Sequence, residues 1–152
     1  MKVSGSGEAP GTGRATILAM TSLRKDISLA ASADEVWSAL RDFGAVHRRL
    51  APGFVTDATM DGEAVRVVTF FNGSSARETL VSCDEASRRL VYAIIGGRAT
   101  HYSASAQVFE DGEKKCRFVW IVDVLPDTIA PYIDDMMTRG AAVMKATLEA
   151  AS

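Results

Sequence analysis

The segment IAPYIDDMMTRGAAVMKATL, residues 129–148, carries apolar side chains at the spacing of an amphipathic α-helix. Apolar residues and one glycine recur on one face, at Ile133, Met136, Met137, Gly140, Met144 and Leu148. Pro126 breaks the strand pattern before this segment, and Asp127 or Thr128 is expected to cap the helix. The helix rises roughly 30 Å over its length, so it can lie across a wide sheet.

The chain before this helix alternates strand-like segments with turn dipeptides. Asp61-Gly62 and Asn72-Gly73 are favoured hairpin signals, and three further turns follow at residues 84–88, 96–97 and 111–112. Six strands are therefore predicted, over residues 54–60, 63–71, 76–83, 90–95, 100–110 and 115–124. A seventh is predicted from Leu23 to Ala31, where apolar residues alternate with polar ones.

Two short helices are predicted between the first strand and the remaining six. Ser32 is a good N-cap residue, and Glu35 completes a capping box with it. Trp37 and its apolar neighbours follow at helical spacing, and Gly44 is expected to end this helix. Residues 45–50 are predicted to form a second short helical turn.

These elements predict an α+β fold in which a long C-terminal helix covers a seven-stranded, curved antiparallel sheet. Large sheets curl, and one helix cannot fill so wide a concavity, so a cavity is expected between them. Tyr102, Ala104, Ala106 and Val108 alternate onto the covered face, and their mostly small side chains leave room. The alternative is that Trp120 and the methionines of the final helix fill that room.

The composition is that of a globular protein of 152 residues, 47% hydrophobic, with a formal net charge of −2. This charge gives no reason to expect a nucleic-acid partner, and no apolar run is long enough to span a membrane.

Residues 1–20 are predicted to form a disordered tail, and residues 21–152 a single ligand-binding domain. The N-terminus lacks a signal-peptide pattern, so a cytoplasmic location is expected. Cys83 and Cys116 are expected to be reduced and buried.

Four segments, taken in order, give the chain a resemblance to a known family. They are residues 32–43 (SADEVWSALRDF), residues 62–66 (GEAVR) with the turn after them, residues 77–94, and the strands containing Tyr102 and Trp120 up to Pro126. The set resembles the polyketide cyclase/dehydrase and lipid-transport group of the START-like (SRPBCC) superfamily, to which plant abscisic-acid receptors are distantly related. The resemblance covers nearly the whole chain after the glycine-rich tail.

The resemblance implies a helix-grip fold of the START/Bet v 1 type, with a ligand cavity beneath the long helix. It also implies that Glu78, Tyr92, Ile94 and Tyr102 face that cavity. The sequence departs from the hormone receptors in three ways. The gate loop before Glu78 is shorter, residues 98–101 replace the latch, and residues 54–60 contain no lysine to pair with a ligand carboxylate. A hormone-receptor role is therefore not expected.

Glu78 is the most informative polar residue. Strand alternation places it on the same face as Ala76 and Leu80, which is the face assigned to the interior. A carboxylate there is costly unless it is paired or protonated. Glu78 is thus a candidate ligand anchor or a candidate catalytic acid/base, and the alternative is a structural ion pair with Arg66 on the neighbouring strand.

The remaining candidates are aromatic or apolar. Tyr92 and Tyr102 can present hydroxyls to a ligand, with ordinary core packing as the alternative, which is also the favoured role of Trp120. His47 and His101 lie on separate elements without metal-ligand spacing, so no metal and no cofactor are expected. The predicted ligand-binding residues are Arg66, Phe70, Glu78, Tyr92, Ile94, Tyr102, Trp120, Ile133 and Met137.

The leading hypothesis for function is a protein that binds a small hydrophobic molecule, such as a lipid, a polyketide or an aromatic metabolite. The first alternative is a cyclase or dehydratase enzyme in which Glu78 is the acid/base and Tyr92 or Tyr102 orients a carbonyl. The second is a protein-interaction module with a vestigial cavity, whose interface is a sheet edge or the Gly96-Gly97 loop. A homodimer is compatible with each hypothesis.

Overall fold

The computed structural model describes residues 21–152, and the predicted N-terminal tail lies outside the described residues. The described strands are β1 (Thr21–Leu29), β2 (Val55–Met60), β3 (Val65–Phe70), β4 (Ser75–Asp84), β5 (Arg89–Ile94), β6 (His101–Glu110) and β7 (Cys116–Leu125). The helices are α1 (Ala33–Arg41), a 3₁₀ turn (Phe43–Ala45), a π-helical turn (Val46–Leu50), a second 3₁₀ turn (Asp127–Ile129) and α2 (Ala130–Ala150). The order of elements is the one predicted.

The seven strands form one curved antiparallel sheet in the order β1-β7-β6-β5-β4-β3-β2. Strands β2 to β7 make a meander, and β1 pairs with β7 at the far edge. The register of β4 shifts between Leu80 and Ser82, and that of β2 shifts between Val55 and Asp57. Such bulges increase the local twist, which helps the sheet to curl around α2. The predicted α+β helix-grip fold is confirmed.

The hydrophobic core lies between the sheet and the helices. Leu29, Phe118 and Val122 from the sheet, together with Met137 from α2, are almost completely buried. Lys25 on the covered face of β1 forms an ion pair of 2.8 Å with Asp134 on α2, so the edge of the sheet is also tied to the helix. Alternation of buried and exposed residues along β1 and β6 follows the predicted faces.

The predicted capping box is present at the start of α1. The backbone N–H of Glu35 donates to the Ser32 hydroxyl at 3.2 Å, and the Glu35 carboxylate accepts from the Ser32 backbone N–H. The hairpin signals are confirmed as well, because Gly62 and Gly73 have φ values of 82° and 86°. Only glycine adopts this left-handed conformation without strain.

Three local predictions are wrong. Helix α1 ends at Arg41 and not at Gly44, because the chain continues there as a 3₁₀ turn that contains the glycine. Asp127 and Thr128 do not cap α2, since they belong to a 3₁₀ turn that leads directly into the helix at Ala130. Cys116 is buried as expected, but Cys83 is exposed.

Candidate functional site

A cavity of about 380 Å³ lies between α2 and the concave face of the sheet. Its walls are mostly apolar, and α2 contributes Ile133 together with three methionines. Of the four β6 residues predicted to face this space, Tyr102 and Ala106 line it, whereas Ala104 and Val108 are buried but are not on its wall. Trp120 and the methionines line the space without filling it. The other apolar lining residues include Val68, Phe70, Leu90, Phe118 and Ile129.

Two buried charged residues, Arg66 and Glu78, lie on the wall of this cavity. The end of the cavity at these two residues is called the closed end. The two residues are direct cross-strand partners on β3 and β4. They are 6% and 5% exposed respectively, and they are the buried charged residues among the described part of the chain. Nε of Arg66 donates to Oε1 of Glu78 at 2.7 Å. The ion pair that the sequence offered as an alternative is therefore present.

Arg66 is held on its other sides by Phe43. Its Nη1 donates to the Phe43 carbonyl oxygen at 3.0 Å, and its guanidinium carbon lies 3.9 Å from the centroid of the Phe43 ring. This geometry matches a cation–π contact with a desolvated ring. One guanidinium therefore contacts both the Glu78 carboxylate on β4 and Phe43 in the turn after α1. It connects the sheet at the closed end of the cavity to the helical segment that follows α1.

One carboxylate oxygen of Glu78 has no hydrogen-bond partner among residues 21–152. Within these residues, Arg66 donates the hydrogen bond to the Glu78 side chain, and the bond reaches Oε1. Oε2 accepts none from these residues, and it is not completely buried. Since Glu78 lines the cavity, Oε2 remains an acceptor that a ligand can reach. The carboxylate is thus paired and partly available at the same time.

Tyr92 and Tyr102 lie beside this ion pair on β5 and β6. The guanidinium carbon of Arg66 is 5.3 Å from the centroid of the Tyr92 ring. Burial, and secondarily the charge of Glu78, raises the pKa of Tyr92. Burial and the neighbouring Tyr92 raise the pKa of Tyr102 well above its usual value. Both hydroxyls are therefore protonated, and each can donate a hydrogen bond at neutral pH.

The open end of the cavity is formed by two turns of the sheet and the first turn of α2. Ser74 and Arg98 are exposed residues of the two turns, and Tyr132 faces them from the helix. The guanidinium carbon of Arg98 lies 5.2 Å from the centroid of the Tyr132 ring. Nδ2 of Asn72 donates to the Tyr132 hydroxyl at 3.3 Å. Tyr132 thus contacts both turns across the mouth.

All nine residues predicted to bind a ligand lie on the wall of this one cavity. That they contact a ligand stays a prediction. Sequence reasoning missed the contribution of the segment 40–55, which adds Leu40, Val46, Leu50, Ala51, Phe54 and Val55 to the wall. The i, i+4 pair Val46 and Leu50 was the available signal, because it marks one apolar face of a short helix. Arg98 and Tyr132 at the mouth were missed as well.

Neither histidine lies on the cavity wall. The Nδ1 atom of His47 is buried without a hydrogen-bond partner in residues 21–152, and His101 is exposed next to Ser103. No group of three or more potential metal ligands occurs within the described range. None of the helices described from residue 21 onward is sufficiently long and apolar to cross a membrane.

A seven-stranded sheet that grips a long helix over an apolar cavity defines the helix-grip class of START-like proteins. The sequence model of one family, described as polyketide cyclase / dehydrase and lipid transport, matches residues 20–149. The chain belongs to this family. None of the curated protein sequences matches it significantly.

Solved structures with the same fold come from bacteria and plants. A START superfamily protein from Mycobacterium smegmatis is 14% identical, with a TM-score of 0.72 over 86% of this chain and 99% of its own. A protein from Thermobifida fusca is 28% identical, with a TM-score of 0.70 over 84% of this chain and 90% of its own. Norcoclaurine synthase from Thalictrum flavum, solved with dopamine and hydroxybenzaldehyde, is 19% identical, with a TM-score of 0.64 over 87% of this chain and 86% of its own.

Proposed function

We propose that this protein binds a small, largely apolar molecule in the cavity beneath α2. The observation that carries the proposal is a space of about 380 Å³ whose walls are mostly aliphatic and aromatic. A concave apolar surface of this kind favours the transfer of apolar ligand area out of water. The family description, which includes lipid transport, is consistent with this function.

The size of the cavity limits the ligand. Pockets for drug-sized molecules have volumes of roughly 300–1,000 Å³, and a cavity of about 380 Å³ lies near the lower end. A compact ring system or a single short acyl chain fits such a space. Met136, Met137 and Met144 give one wall flexible side chains, which adapt to the shape of the occupant.

The proposal is tested by native mass spectrometry of the purified protein and by the fluorescence of an apolar naphthalene sulfonate probe. The matched variants are Ala106→Leu, which fills the cavity, and Ser105→Leu, which changes the neighbouring residue on the opposite face of β6. We expect probe binding to fall in Ala106→Leu and to persist in Ser105→Leu. A probe-excluding wild-type protein that carries no ligand would contradict the proposal.

A second candidate function is a cyclase or dehydratase reaction on a polyketide-like substrate. The specific observation in its favour is that Oε2 of Glu78 is free to exchange a proton inside a largely apolar cavity, beside two tyrosine hydroxyls. An enzyme of this kind should lose turnover in Glu78→Gln while it keeps its fold. Unchanged turnover in that variant would remove Glu78 from the mechanism.

A third candidate is a partner-binding role at the Gly96-Gly97 turn. Ile95, directly before this turn, is 77% exposed, which is the largest exposure of any large apolar side chain among residues 21–152. This role, a homodimer and a cytoplasmic location are proposals that rest on the sequence. Size measurement of the protein alone and with its candidate partners distinguishes a stable complex from a monomeric ligand carrier.

We also propose residues 21–152 as the ligand-binding domain.

A further inference from the structure

We propose that the closed end of the cavity selects a compact apolar molecule that carries a neutral hydroxyl group, and that it rejects a carboxylate at the same position. This inference rests on the proposed function, because it specifies the chemistry of the molecule that the cavity binds. It follows from the charge balance at the Arg66–Glu78 pair and from the hydrogen-bonding groups left free beside it.

The charge balance at the closed end is zero. The positive charge of Arg66 is matched by Glu78 at 2.7 Å, and a further guanidinium N–H is already used by the Phe43 carbonyl. Arg98 is the one other cationic residue on the described wall, and it is exposed at the mouth. A ligand carboxylate at the closed end would therefore add a second negative charge, desolvated beside Glu78, where Arg66 is the one cation among the described residues and its charge is already matched.

The free hydrogen-bonding groups at this end are one acceptor and several donors, because the two hydrogen bonds of Arg66 use two of its five guanidinium N–H groups. Oε2 of Glu78 is the acceptor, as described above. Tyr92 and Tyr102 line the cavity from the same face of the sheet, because Ala104, the cross-strand partner of Tyr92, is two residues from Tyr102. A hydrogen bond between two hydroxyls uses one of their two protons, so at least one tyrosine O–H donor is left for a ligand.

A hydroxyl group is the small neutral group that satisfies both sides. It donates its proton to Oε2 of Glu78 and accepts from the spare tyrosine O–H. A ketone only accepts, so it leaves Oε2 unpaired, and a hydrocarbon leaves both groups unpaired. A buried polar group without a hydrogen-bond partner is unfavourable. The protein should therefore bind a ligand more weakly when it leaves Oε2 of Glu78 or the tyrosine O–H unpaired.

The experiment compares three probes of nearly equal size, namely 2-naphthol, 2-methylnaphthalene and 2-naphthoate. Affinities are measured by calorimetry or by competition with a fluorescent probe at neutral pH. We expect 2-naphthol to bind about tenfold or more tightly than 2-methylnaphthalene, which is the effect of one satisfied hydrogen-bonding group. We expect 2-naphthoate to bind at least tenfold more weakly than 2-naphthol.

Glu78→Gln tests the effect of removing the negative charge. This variant leaves the positive charge of Arg66 unmatched, so the preference should move toward 2-naphthoate and its affinity should rise above that of 2-naphthol. Tyr102→Phe is the second variant, used if Glu78→Gln does not fold. Removing one of the two hydroxyls should reduce the ratio of 2-naphthol to 2-methylnaphthalene affinity several-fold while the hydrocarbon still binds.

The outcomes separate this inference from the proposed function. Equal affinities for all three probes would overturn the inference and leave apolar binding intact, whereas binding of none of them would overturn both. Wild-type binding of 2-naphthoate as tight as that of 2-naphthol, unchanged in Arg98→Ala, would also overturn it. A loss of that binding in Arg98→Ala would place the anion at the mouth, as the inference requires. A natural ligand recovered with a hydroxyl supports the inference, and one whose carboxylate lies beside Glu78 contradicts it.

Discussion

The guanidinium of Arg66 and the carboxylate of Glu78 face each other across neighbouring strands, with Nε and Oε1 separated by 2.7 Å. Each side chain is 7% exposed, so the pair has lost nearly all contact with bulk water. Desolvation of two charges offsets much of their attraction, and such a pair is weak evidence for stability. The pair lines the cavity wall, so its charges and free hydrogen-bonding groups set the polarity of that end of the cavity.

The first prediction concerns the stability of this pair. Arg66→Leu leaves the Glu78 carboxylate buried without a partner, so it should lower the free energy of unfolding by about 3–5 kcal/mol. The double variant Arg66→Leu with Glu78→Leu removes both charges and should recover most of that loss. Urea unfolding measures each value. A double variant no more stable than Arg66→Leu would show that the pair itself stabilises the fold.

The fold was predictable because its signals are local. Ser32 with Glu35 marked the start of α1, and Gly62 and Gly73 marked two hairpins whose backbone needs a positive φ. Each of these signals acts within four residues, so a single sequence contains all the information. The alternation in β6, which placed Ala106 on the covered face, is also a property of one strand.

The misses depend on contacts between distant segments. The π-helical turn Val46–Leu50 supplies part of the cavity wall, but its lining role follows from packing against α2 and β2. The contacts of Tyr132 with Asn72 and Arg98 join parts of the chain that are far apart in sequence. Sequence alternation placed Glu78 in the interior, yet it could not decide between Arg66 and a ligand as its partner. Only the register of β3 against β4 settles the pairing.

The second prediction tests the capping box. Ser32→Ala removes the hydroxyl that accepts from the Glu35 backbone N–H at 3.2 Å, so it should lower the free energy of unfolding by about 1 kcal/mol. Ser28→Ala is the matched control, because Ser28 is exposed on β1 and caps no helix. Its effect should stay within about 0.5 kcal/mol. Denaturant unfolding compares the two, and equal effects would contradict the role of the cap.

The third prediction concerns the close approach of α2 to Phe54. A Cβ at Gly140 would lie 3.0 Å from Cε2 of Phe54, whose ring packs edge-on against Phe70. Alanine improves helix propensity by about 1 kcal/mol, but overpacking costs about 1–3 kcal/mol. We therefore expect Gly140→Ala to be net destabilising by about 1 kcal/mol.

The exposed residue Ala142 supplies the control for this prediction. Ala142→Gly, one half-turn along the same helix, measures the propensity difference without any contact to Phe54. Both variants are compared with the wild type by thermal and urea unfolding. If Gly140→Ala gains as much stability as Ala142→Gly loses, the approach of Phe54 does not constrain this position.

The fourth prediction concerns alkaline pH. Burial raises the pKa values of Tyr92 and Tyr102 above the ordinary tyrosine value of 10.0. Both groups are neutral in the folded and unfolded chain below that pH, so their contribution to stability is fully present there. Above it the unfolded chain releases protons that the folded chain retains, and the free energy of unfolding falls as pH rises. The loss is about 1.4 kcal/mol per pH unit for each tyrosine.

This dependence is measured by urea unfolding between about pH 8 and about pH 11. Other basic groups also titrate in this range, so the informative quantity is the difference between the wild type and Tyr102→Phe. Because that variant retains only Tyr92, the part of the slope that comes from the buried tyrosines should fall by about half. A double variant with Tyr92→Phe should remove this part entirely. Parallel profiles for all three proteins would mean that the two hydroxyls ionise as readily in the folded chain as in the unfolded one, and therefore that the closed end of the cavity is wet.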